Sequence, residues 1–209
     1  MNLNLEDGEK LIHFARDNIE HFLTKRKKFD VPKDIKEKFS DKGGAFVTLN
    51  THSIKNGNPL RGCIGYILPV FPLWETVHKV SISSAVDDPR FPSVKLAELD
   101  DITIEISILS VPEKIIVSDP QEYLEKIVVG RDGLIISRDA HRGLLLPQVP
   151  IEHNRNWDAL TFLQQTCQKA WLGADAWKDL EKTTVESFTA TIFEETSPRG
   201  PVREKAIGE

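Results

Sequence analysis

Apolar residues recur every three to four positions early in the chain: Leu11, Phe14, Ala15, Ile19, Phe22 and Leu23 fall on one stripe. This predicts an amphipathic helix over residues 5 to about 26, whose stripe must cover a sheet or another helix. From Val31 to Gly44 the pattern is lost, and Pro32 with the Gly43-Gly44 pair marks a connector. The period then changes to two. Ala45-Phe46-Val47-Thr48-Leu49 reads as a strand, Lys55-Asn56-Gly57-Asn58-Pro59 tolerates a tight reversal, and a second strand runs from Leu60 through Tyr66-Ile67-Leu68. Pro72 suits a helix start, and Leu73, Val77, Val80, Ser81 and Ser84 trace a narrow face with small residues. A closely packed helix from about 72 to 86 is expected.

Ile102, Ile104, Ile106 and Ile108 alternate with Thr103, Glu105 and Ser107, the clearest strand pattern in the chain. Phe188, Ala190 and Ile192 alternate with Ser187, Thr189 and Thr191 in the same way. Two such one-sided strands are expected in one antiparallel sheet, with the first helix or the 72 to 86 helix on its apolar face. Between them, Val128-Val129, Leu134 to Ile136 and Leu144 to Leu146 read as short apolar strands separated by turns at 130 to 133 and 138 to 143. A helix follows with Trp157, Leu160, Leu163, Cys167, Ala170 and Trp171 on one stripe, stopping at Gly173. The arrangement predicts an α+β protein in two parts. Residues 1–118 and 183–209 form a larger unit, 119–182 a smaller one, and Pro112 and Pro120 mark the outgoing link.

At 209 residues the chain can bury roughly 70% of its unfolded surface, so no metal or disulfide is needed to hold its core. Lys and Arg total 27 against 32 Asp and Glu, a net charge of −5. Non-specific nucleic-acid affinity comes from clustered positive charge, so RNA binding is the weakest of the functional readings. The one basic run, Lys25-Arg26-Lys27-Lys28, follows a helix whose C-terminal carbonyls favour cations. No N-terminal apolar h-region and no run near the ~20 apolar residues of a membrane span is present, and a cytoplasmic location without membrane contact is expected. Cys63 and Cys167 are too few for a disulfide scaffold and read as free thiols. A polar tail with two prolines and scattered charge runs from Ser197 to Glu209 and is expected to be disordered or loosely attached.

The chemistry concentrates at Leu60-Arg61-Gly62-Cys63-Ile64-Gly65. In an extended segment Arg61 and Cys63 share a face, and the guanidinium favours the nucleophilic thiolate. Cys63 is thus either a catalytic nucleophile or a small residue packed on a half-buried strand. Arg61 either anchors a carboxylate or phosphate or pairs with an acid of Asp87-Asp88. Gly62 permits close approach of a ligand, or, with Gly65, strand twist or a bulge. Asp88 and Arg90, in Asp87-Asp88-Pro89-Arg90-Phe91-Pro92, either contact a ligand or fix their own loop by a salt bridge. Gln148, between Pro147 and Pro150, is a polar side chain that burial would force to find a partner, and is the smaller unit's candidate contact. His13, His21, His52, His78, His141 and His153 form no His-x-x-x-His pair, and no Cys-x-x-Cys occurs, so neither metal nor cofactor is called for. A pairing of Cys63 with a spatially adjacent His52 or His141 stays open. Phosphate-loop, dinucleotide-binding and serine-hydrolase motifs are absent.

The chain resembles the AMMECR domain family. The resemblance spans nearly its whole length and rests on Gly44 to Leu49, Leu60 to Gly65, Asp88 to Pro92, Gly130 to Leu134 and Gly143 to Val149, in the family's order. It implies two subdomains, each with an antiparallel sheet, separated by a cleft that the Leu60 to Gly65 segment faces. It also implies a pathway shared with Memo-like and radical-SAM-type proteins, beside which prokaryotic members are often encoded. The function expected is binding of a large ligand, a protein or peptide, at that segment through Arg61, Gly62, Asp88, Arg90 and Gln148. The alternative is an enzyme of the same pathway using Cys63 as nucleophile or redox thiol.

Overall fold

A computed structural model describes residues 3–27, 29–151 and 155–206, so His153 and Lys28 lie outside the described residues. The chain divides into two units, one formed by residues up to Leu109 together with Thr191–Lys205, the other by Ser110–Ala190.

The first unit opens with α1 (Leu5–Lys25), started by a reciprocal cap in which Asn4 accepts from the Asp7 N–H and Asp7 accepts from the Asn4 N–H. It stops where Arg26 turns left-handed. The expected connector holds a short helix, α2 (Lys33–Lys38). Then come β1 (Gly44–Thr51), β2 (Leu60–Tyr66), α3 (Leu73–Val86), a 3₁₀ turn at Leu96–Asp101 and β3 (Ile102–Leu109). The second unit carries β4 (Glu113–Lys114), α4 (Glu122–Lys126), β5 (Gly133–Arg138), β6 (His141–Leu145), α5 (Ala159–Lys169) and β7 (Thr184–Phe188). The chain returns to the first unit with β8 (Ala190–Glu195) and β9 (Val202–Lys205).

Among the described residues the strands make a five-stranded sheet, ordered β2-β1-β3-β8-β9, and a four-stranded sheet, ordered β4-β7-β5-β6. The pairings with recorded register are antiparallel. α1 and α3 pack on one face of the larger sheet, burying Leu11, Ala15, Val47, Leu49, Val77, Ile104 and Ile106 completely. The other core gathers Leu134, Ile136, Phe162, Leu163, Cys167, Trp177 and Val185.

Five local expectations change. The tail from Ser197, expected to be loose, supplies β9, which pairs with β8 and buries Val202. The segment 187 to 193 is two strands in different sheets, because the chain leaves one sheet after Phe188 and joins the other at Ala190. Phe188 packs where a Cβ on Gly133 would meet its ring at 2.3 Å, whereas Phe193 does the same over Gly8 of α1. β3 is buried on both faces, since Lys205 covers Glu105 at 2.8 Å. Val128-Val129 belongs to no strand, and α5 ends at Lys169, leaving Trp171 88% exposed with φ +59°.

Candidate functional site

β2 is an edge strand of the larger sheet, so one of its sides has no neighbouring strand. Its pairing with β1 is regular from Tyr66 to Gly62, where Thr48 faces Cys63 and Leu49 faces Gly62. Then Asn50 faces Leu60, which leaves Arg61 as the extra residue of a β-bulge. The bulge re-aims Arg61. Its Nε and Nη2 bind Glu98 (2.9 and 3.2 Å) and its Nη1 donates to the Pro92 carbonyl (2.8 Å), with the side chain only 14% exposed. Arg61 thus ties β2 to the 3₁₀ turn, and its partner is Glu98, neither Asp87 nor Asp88. Burial pushes the Glu98 carboxyl up, but the Arg61 guanidinium and the Lys95 N–H outweigh it and hold it below the usual range.

Gly62 lies against the last turn of α3, where a Cβ would stand 2.1 Å from the Ser84 carbonyl oxygen. No other residue fits there without moving α3 away from the strand.

Cys63 is held by its backbone. Its N–H donates to Asp88 Oδ2 (2.8 Å) and its carbonyl accepts from Arg90 Nη2 (3.3 Å). Arg90 also grips Asp88 with Nε and Nη2 (2.9 and 2.7 Å), and its own N–H reaches Asp88 Oδ1 (3.1 Å). This ion pair occupies the place that one residue of a further strand would take beside Cys63. The Asp88 side chain is buried and that of Arg90 is 53% exposed. The Arg90 guanidinium and the two backbone donors hold the Asp88 carboxyl well below the usual carboxylate range. Arg90 itself is raised by the same pair.

The Cys63 sulfur has a different environment. Its hydrogen-bond partner is Thr48 Oγ1 at 3.3 Å, and no titratable side chain among the described residues hydrogen-bonds it. Burial pushes the thiol up, the Glu105 and Asp88 carboxylates add to that, and Thr48 and Arg90 only partly oppose it. Proximity in sequence to Arg61 predicts the opposite shift. The bulge is the physical reason, because it delivers the guanidinium to Glu98.

Gln148 lies in the other unit, buried, with its side-chain oxygen unpartnered among the described residues. His52 contacts Lys55 rather than Cys63, and among the described residues no group of three His, Cys, Asp or Glu is placed to hold a metal ion. Glu98, Thr48 and Phe46, whose ring covers Gly65, escaped the sequence reading. Only Glu98 left a signal, since an acid three residues after Lys95 reaches back to its N–H.

Comparison with known proteins places the chain in a wider set. A profile of the AMMECR1 family matches residues 12–193. A protein of Pyrococcus abyssi is 52% identical over 202 residues, covering 97% of each chain. A protein of Methanocaldococcus jannaschii is 47% identical over 205 residues, covering 98% of each. The crystal structure of an uncharacterized protein from Pyrococcus horikoshii matches 98% of both chains with a TM-score of 0.88 and 48% identity.

Proposed function

The chain belongs to the AMMECR1 family, and from that premise we propose that it is a binding protein whose site is the Leu60 to Gly65 strand with its Asp88–Arg90 clip, and whose ligand is a protein or peptide. One observation carries this reading: Cys63 is fixed through both of its backbone polar groups, and its half-buried sulfur has Thr48 as hydrogen-bond partner, with burial pushing the thiol up. A half-buried thiol whose hydrogen-bond partner is a threonine hydroxyl rather than a base is a poor nucleophile, whereas a half-exposed arginine beside an edge strand suits recognition. In this reading Arg90 contacts the ligand, Asp88 orients Arg90, Gly62 allows β2 to sit on α3, and Arg61 positions the loop that carries both. Gln148, with its unpartnered oxygen, is a candidate contact of the second unit in its own right. The two free thiols fit a reducing, cytoplasmic setting, and no helix among the described residues is long and apolar enough to cross a membrane.

The test is association with Memo-like and radical-SAM-type proteins of the same organism. Purified candidates are titrated against the wild type, Arg90→Ala and Cys63→Ser, with thermal unfolding as the fold control. Arg90→Ala is expected to weaken association at least ~10-fold by removing a charged donor, and Cys63→Ser to leave it within about 2-fold. Loss of function confined to Cys63→Ser would instead support the thiol as a chemical group.

A further inference from the structure

We propose that the β2 edge at Gly65 takes the carboxy-terminal segment of a partner chain as a short antiparallel strand, with the terminal carboxylate meeting Arg90; this rests on the reading of β2 as a binding site. Backbone groups on one side of a strand come from alternate residues. Cys63 sends its N–H to Asp88 and takes a bond from Arg90, so its polar groups point away from β1. The register with β1 stays regular up to Tyr66, so the N–H and C=O of Gly65 point outward too. Nothing among the described residues hydrogen-bonds them. The edge is closed at Cys63 and open at Gly65.

Three features select the occupant. In antiparallel pairing, the residue two places after the one facing Gly65 would face Cys63, so the incoming chain runs toward its C-terminus as it nears Arg90. That slot is filled by the Asp88–Arg90 pair, and a strand continuing past it would have to break the pair; a chain end fits without doing so. Arg90 spends Nε and Nη2 on Asp88 and Cys63, which leaves Nη1 without a partner among the described residues and open to a carboxylate. In the other direction the surface turns apolar: Tyr66, Leu68 and Val70 are 40%, 44% and 56% exposed. A side chain facing Gly65 would lie beside the Phe46 ring, which already covers that glycine. The ligand is therefore an extended apolar segment ending in a free carboxylate, a form of strand addition in which backbone bonds give affinity and the terminus gives register.

The test uses the full chain and synthetic eight-residue peptides of one alternating Val-Thr sequence, with a free carboxylate, with an amidated terminus, or with two prolines added beyond the terminus, which cannot slide into the paired positions. Amide hydrogen exchange at Gly65 is followed by NMR. The free-carboxylate peptide is expected to slow that exchange and to bind about 10-fold more tightly than the other two, and Arg90→Gln to erase the preference. Unchanged Gly65 exchange at saturating peptide, or equal binding of all three peptides, overturns the proposal. If the proteins of the association assay bind while Gly65 stays unprotected, strand addition is wrong and the binding reading stands; if neither they nor the peptides bind, both fail.

Discussion

Asp88 is the residue on which the site's geometry converges, since its carboxylate accepts the Cys63 N–H and holds Arg90 at the β2 edge. Its carboxyl is depressed in the folded chain, so the folded state binds a proton less tightly than the unfolded one. The stabilisation is therefore fully present above the ordinary aspartate pKa of about 3.9 and fades as pH falls through the depressed value. Asp88→Asn is expected to cost about 2 kcal/mol near neutral pH, with the gap between variant and wild type closing as pH drops below about 4. Urea unfolding at several pH values measures both. The sequence singled out Asp88, Arg90, Arg61 and Cys63 by residue type and by their setting among glycines and prolines. It offered each of them a bland and a chemical role, because a side chain's partner is a matter of position in space.

At the scale of elements, α5 shows where local pattern is overruled. Apolar spacing carries the predicted helix through Trp171 to Gly173, but Leu172 donates to the Cys167 carbonyl and Trp171 to the Gln168 carbonyl, a closing motif that puts Trp171 at the left-handed position glycine usually takes. Trp171 adopts φ +59° and is 88% exposed, so strain is offset by little burial. Trp171→Gly is expected to stabilise the chain by about 1 kcal/mol and to raise the Tm by about 3 °C, checked by calorimetry. The Arg61 bulge is a similar case, since simple alternation places Arg61 beside Cys63 and one extra residue sends it to Glu98.

At the scale of the molecule, the first unit is closed by strands that arrive after the second unit has been made. The closure is bonded internally: Glu195 on β8 pairs with Arg16 of α1 and accepts from the Ile104 N–H (2.9 Å), while Arg16 also donates to the Ile102 carbonyl (2.6 Å). Both side chains are almost fully buried, and removing one strands the other's charge. Glu195→Ala is expected to cost about 3 kcal/mol or more in chemical denaturation, well beyond the loss for an exposed pair such as Lys33–Glu37.

The sequence by itself determined whatever depends on the repeat of a single segment: the α1 stripe, the isoleucine strand, the helix from about 72 to 86, and the glycine-flanked strand that carries Cys63. Helix and strand periods are properties of the local backbone, so apolar spacing reports them directly. Only the tertiary structure decided that the chain changes sheets near Thr189, that Arg61 faces Glu98 across 37 positions of sequence, that burial pushes the Cys63 thiol up, and that Gly65 keeps an open edge. Each of these follows from register and close approach between segments distant in the chain, and a one-residue slip or a single bulge changes them while leaving every local pattern intact.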